Sequence, residues 1–168
     1  MQSLREELQA TKATLAGLIQ SIDEKDIDIV PFEDSWTAGQ LLEHIDKAVS
    51  PGVLHGNTQT TSRQADEKVA QVEKIFLDFN TKFKSPEFIE PVEKVHDKSV
   101  LLQSLTKKFD ELAEAAASMD LQQECLDFEV PGMGRFTRLE WIAFYMIHTR
   151  RHIHQLKHIL KVLNEKKR

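Results

Sequence analysis

The stretch from Thr137 to Leu163 limits the fold more than any other, because it runs as one helical pattern. With each residue advancing about 100°, Trp141, Tyr145, His148, His152, Leu156, Ile159 and Leu163 fall on one side. Arg150, His154, Lys157, His158 and Lys161 fall on the other. A helix with one apolar side must bury it against other elements, so the rest of the chain has to supply packing partners.

Four further segments carry the same period. Leu4, Leu8, Thr11, Leu15, Leu18 and Ile22 predict a first helix over residues 3 to 22. A second is predicted from about Thr37 to Ser50, ended by Pro51-Gly52. Val69, Val72, Phe76, Phe79 and Phe83 form an apolar seam at steps of three and four and predict a third. Asp97 is placed to cap a fourth that carries Leu101, Leu102, Leu105, Phe109, Leu112, Ala116 and Met119. Between them lie an acidic loop with Pro31, a loop bracketed by Ser85-Pro86 and Pro91, and turn chemistry from Phe128 to Gly134 with room for a short extended piece. The expectation is an all-α helical bundle, formed as one domain over residues 1–168.

Two helix starts share one grammar. Trp36-Thr37-Ala38-Gly39-Gln40-Leu41 and Phe136-Thr137-Arg138-Leu139-Glu140-Trp141 each offer a threonine N-cap, a Gln or Glu three residues on to close a capping box, and a preceding aromatic residue to staple onto the first turn. Both helices opened in this way carry histidines.

Charge and cysteine content exclude several classes. A net charge of −5 argues against a nucleic-acid partner, which requires a basic surface to displace counterions from phosphates. No run approaches the length of a membrane span, so no membrane partner is expected. The first residues contain no apolar run, and the lone Cys125 cannot form an internal disulfide, so a cytoplasmic location is expected.

Of the four histidines in the last helix, His154 and His158 fall among lysines and arginines and suit a solvated face. His148 and His152, one turn apart on the apolar side, need partners for both ring nitrogens or must stay neutral in an apolar setting. Such a pair serves either as hydrogen-bonded core residues or as metal ligands. His44, on the flank of the apolar arc set by Leu41, Leu42, Ile45 and Val49, strengthens the second reading. It lies about 10 Å past its N-cap, and His148 and His152 lie about 16 and 22 Å past theirs, so antiparallel helices would bring all three to a similar depth. His55 and His96 suit the surface. Glu93-Lys94-Val95-His96 has the spacing of a diiron ligand pair but lacks a second copy, and neither a His-Glu-x-x-His run nor a glycine-rich phosphate loop occurs.

Ser35-Trp36-Thr37, His44 within Leu41-Leu42-Glu43-His44-Ile45, Glu140-Trp141-Ile142, and His148-Thr149-Arg150-Arg151-His152-Ile153-His154-Gln155 together resemble the DinB-like superfamily. The layout matches over nearly the whole chain. The resemblance implies a four-helix bundle of up-down-down-up topology with an additional short helix or loop segment. It implies a divalent metal, nickel or zinc, at His44, His148 and His152, and often a homodimer. Characterised members include thiol S-transferases that use bacillithiol or related thiols and a mycothiol-dependent isomerase.

The chemistry expected from this set is a metal-dependent transferase or hydrolase, in which a low-molecular-weight thiol or water is activated for attack on a small-molecule substrate. Tyr145, one turn before His148, is a candidate acid or base, or else a packed core tyrosine. Arg151 is a candidate to orient an acidic ligand, or forms a surface ion pair, while Gln155 is a candidate partner for a histidine. Glu43 is expected to face solvent. The alternative is a non-catalytic bundle that binds a metal or a small molecule.

Overall fold

The computed structural model describes residues 3–168 and is mostly helical. Five α-helices follow one another: α1 (Leu4–Ser21), α2 (Ala38–Ala48), α3 (Val69–Phe76), α4 (Lys98–Ser118) and α5 (Arg138–Lys166). Ser3, Thr37 and Thr137 open α1, α2 and α5 with closed capping boxes, their side chains accepting from the amides of Glu6, Gln40 and Glu140. Asp97 opens α4 by accepting from the amides of Ser99 and Val100. The aromatic staple forms at α5, where Phe136 and Trp141 meet edge-on at 5.3 Å.

Contacts near the helix ends set the directions. Lys12 pairs with Asp110 while Lys98 donates to the carbonyls of Gln20 and Ile22, so α1 and α4 are antiparallel. His96 bonds Glu43, and Ser104 and Lys108 meet Asp46, so α2 and α4 run the same way. Arg150 donates to Thr11, and Lys167 beyond α5 pairs with Asp23 beyond α1, which makes that pair parallel. Lys166 reaches the Pro31 carbonyl ahead of α2, whereas Arg138 donates to the Leu54 carbonyl past its end, so α2 and α5 are antiparallel. The result is an up-down-down-up bundle of α1, α2, α4 and α5, with α3 as the additional helix against α5.

Two departures from the sequence reading are local. A two-residue strand, β1 (Thr58–Gln59), pairs antiparallel with β2 (Glu124–Cys125), which buries Cys125 beneath the loop. The third helix ends at Phe76 instead of continuing through Phe83. Asp78 turns the chain by accepting from the Asn80 amide and the Thr81 hydroxyl, which competes with helix continuation. Phe79 and Phe83 therefore leave the seam, and both are exposed.

Glu140 ties this irregular layer to the bundle. Besides closing the α5 capping box, its fully buried carboxylate accepts a bidentate pair from Arg63 (2.9 and 2.7 Å) and a bond from the Lys68 amide (2.7 Å). Burial pushes this carboxyl up, but the bonds from Arg63 and the amides of Thr137 and Lys68 outweigh it and hold the group below its ordinary value. Arg63→Ala leaves a buried charge unpaired and is expected to cost about 3–5 kcal/mol in denaturant unfolding. Because the folded-state value is depressed, the pair's contribution is complete above about pH 4.5 and is lost as pH falls through the folded value. The variant should therefore show a shallower acid loss of stability than the wild type. A loss under 1 kcal/mol would contradict this role.

Candidate metal centre

Antiparallel packing of α2 on α5 brings His44, His148 and His152 together. His152 Nε2 stands 3.0 Å from His44 Nε2 and 3.2 Å from His148 Nε2. The three rings are buried, with 2%, 7% and 8% of their residue surfaces exposed. One ligand atom from each lies within 4.8 Å of the others, an arrangement that can hold a metal ion. For a tetrahedral ion with nitrogen ligands at ~2.0–2.1 Å, ligand nitrogens stand ~3.3 Å apart, close to the spacings found.

The outer nitrogens determine which way the lone pairs point. His44 Nδ1 is 2.9 Å from the carbonyl of Ile89, which can only accept, so Nδ1 carries the proton. His152 Nδ1 is likewise 2.9 Å from Gln155 Oε1. In the neutral rings both Nε2 atoms are therefore bare, and two lone pairs face each other at 3.0 Å. His148 Nδ1 is buried and finds no hydrogen-bond partner among the described residues.

A shared proton is a poor remedy for that opposition. Burial lowers all three imidazoles, most strongly His148, and their mutual charge repulsion adds to this for His148 and His152. His152 is brought down to about 3 by burial and by His44, against a small upward pull from Gln155. The cluster is thus neutral at pH 7, and neutral imidazoles with converging nitrogens are the donor set of an imidazole-bound cation.

Aromatic rings wall the cluster. Trp36 lies 5.0 Å from His44, Phe144 stacks on His148 at 5.9 Å, and Phe76 meets His148 edge-on at 6.2 Å. Tyr145 points elsewhere than these walls suggest for its neighbour Phe144. Its ring stacks on Trp141 at 5.6 Å, and burial first, then the Cys125 thiol, pushes its phenol well up despite a bond with the Ser50 backbone. Nothing among those contacts is an imidazole of the cluster.

Arg151 is held by backbone carbonyls and forms no ion pair among the described residues. It donates to the carbonyls of Phe76 and Asp78, each at 3.0 Å, and of Thr81, with its guanidinium 4.8 Å from the Phe83 ring. Gln155 sits on His152 as described. His154 and His158 are on the exposed face, where His154 stacks on Phe79 at 3.9 Å and His158 meets Phe32 at 5.4 Å.

Two expectations are corrected. His96 is buried, not on the surface, and Glu43 is buried, not in solvent. They bond each other at 3.0 Å, and His96 Nδ1 meets Asp28 Oδ1 at 2.5 Å. Sequence reasoning missed these contacts because Asp28, Glu43 and His96 are distant in sequence, and Asp28 and His96 lie in irregular segments. One signal was available in Gly39, an unfavourable residue inside a short capped helix. A Cβ there would lie 2.6 Å from His96 Nδ1 and 2.7 Å from Asp28 Oδ1.

Comparison with known proteins follows the same pattern. A model of the DinB superfamily matches residues 7–156, and the chain belongs to that superfamily. It is similar to the uncharacterized protein YuaE of Bacillus subtilis (strain 168), 25% identical over 149 residues that cover 84% of this chain and 87% of that protein. No solved structure matches.

Arg151 holds the end of α3 and the turn after it against α5, so Arg151→Ala is expected to cost about 2 kcal/mol. Amide exchange should accelerate by an order of magnitude or more at residues 77–83, with little change in α1 and α4. Unchanged exchange in that segment would show that the three carbonyl contacts do not hold it.

Proposed function

We propose that this member of the DinB superfamily is a metal-dependent enzyme in which His44, His148 and His152 hold one divalent cation, nickel or zinc. Its reaction class is transfer of a low-molecular-weight thiol to a small electrophile, or hydrolysis of that electrophile. The observation that carries the reading is the convergence of three buried imidazoles with His44 and His152 Nε2 3.0 Å apart, an opposition that a shared cation relieves. A cation there supplies Lewis acidity, stabilising a deprotonated thiol or water at neutral pH.

The chain's own residues prepare that chemistry. Ile89 and Gln155 orient two imidazoles through their Nδ1 atoms, as ligating histidines require. Trp36, Phe76 and Phe144 exclude water from the same space. Thiol transfer ranks ahead of hydrolysis through family likeness. The same likeness supports a homodimer, and the lone buried Cys125, whose thiol is raised by burial, suits the reducing conditions of a cytoplasmic location. No described helix is long and apolar enough to cross a membrane.

One observation favours a second reading, a non-catalytic bundle that binds metal or a small molecule. The three imidazoles are buried, and a surface depression of about 490 Å³ lies away from them, at the far end of α1 and α5 between Leu18, Lys157 and Arg168. Metal content separates both readings from a metal-free bundle. Protein purified without a polyhistidine tag is expected to carry about one equivalent of nickel or zinc per chain. His152→Ala should retain less than about a tenth of it, and thiol transfer should appear only in the loaded wild type. A wild type that takes up no metal on reconstitution would overturn the proposal. Full loading without turnover of any thiol and electrophile pair would favour the second reading.

A further inference from the structure

The contacts around Glu43 form a second buried cluster, one residue along α2 from His44. Its carboxylate gathers His96 Nε2 at 3.0 Å and the Val92 amide at 3.2 Å on Oε2, with the ammonium groups of Lys47 and Lys94 at 3.2 and 3.3 Å from Oε1. Beyond His96 lies Asp28, which accepts from the His96 amide at 2.8 Å through its second oxygen. Lys47 also donates to the carbonyl of Glu90.

Every one of these contacts except the Lys47–Glu43 ion pair fastens one segment, residues 87–96, to α2 or to the loop before it. That segment has little else to hold it. It contains a single 3-10 turn, Glu87–Ile89, between Pro86 and Pro91, and Phe88, Val92 and Val95 are exposed. Its one buried apolar residue is Ile89, and the Ile89 carbonyl is the acceptor for His44 Nδ1. Gly39 leaves the space that the His96 and Asp28 pair occupies, as its missing Cβ requires.

We infer that Asp28, His96 and Glu43 act as positioning residues for His44, seating the 87–96 segment so that the Ile89 carbonyl holds His44 in the Nδ1-protonated tautomer with a bare Nε2. None of the three touches the cluster of imidazoles in this role; they act through Ile89. The inference rests on the reading of His44 as a metal ligand for its purpose, but the tautomer itself is a property of the metal-free protein.

The test is nitrogen-15 imidazole NMR on metal-free protein, alongside zinc titration. Wild-type His44 is expected to show a single Nδ1–H pattern. In Glu43→Ala and in His96→Ala the pattern should collapse to a mixture of tautomers, with zinc affinity reduced about 10–100-fold. Glu43→Gln keeps an acceptor oxygen and is expected to restore most of the wild-type pattern. Wild-type protein with His44 protonated on Nε2 would overturn the inference even if the alanine variants did not fold. Folded alanine variants that keep the wild-type pattern would overturn it as well. If zinc failed to bind while the tautomer still followed His96, the positioning role would stand and the metal reading would fall.

Discussion

Three imidazoles packed into one apolar wall pose an electrostatic problem that organises the rest of this molecule. Each ring must stay neutral, because a buried cation without a counter-charge is costly, and each nitrogen then needs a partner suited to its single proton. The outward nitrogens of His44 and His152 are served by Ile89 and Gln155. The inward ones face each other, and among the described residues the group that could hold a metal ion there consists of the three histidines. A fold can maintain that opposition only if its frame is stiffer than the repulsion, which is why the surrounding anchors matter.

Those anchors stand on α2 and α5 and hold down parts of the chain with no regular structure. At one end Glu140 caps α5 and holds Arg63, which also reaches Glu124 in β2, so the long segment between α2 and α3 is tied to the start of the helix that carries two of the histidines. At the other, Arg151 sits between His148 and His152 in sequence but turns away from them to hold the carbonyls of residues 76–81. Glu43, next to His44, does the same for residues 92 and 96. In the last two cases a residue beside a histidine turns away from the imidazoles and secures a loop, while the histidine joins the cluster.

That division explains what the amino-acid order revealed. Helical period, N-caps and the His148/His152 face depend on neighbours within a few positions, and α1, α2, α4 and α5 form where those signals lie. The end of α3 did not follow its apolar period, because Asp78 offered the backbone a local turn and Arg151 captured the freed carbonyls. His96 looked like a surface residue for a similar reason. Its partners, Asp28 and Glu43, lie 68 and 53 positions away, and only tertiary contact joins them. Tyr145 had the right helical phase to approach His148, but its neighbour Phe144 stacks on that ring while Tyr145 packs with Trp141.

A cation held by three imidazoles alone keeps one coordination position for an exogenous ligand. X-ray absorption on zinc-loaded protein, before and after addition of a small thiol, reads that position. The expected result is three imidazole nitrogens at ~2.0–2.1 Å with one lighter, exchangeable neighbour, and the appearance of sulfur at ~2.3 Å once thiol is present. Fewer than three imidazoles, or a complete set of four protein ligands that thiol leaves unchanged, would contradict it.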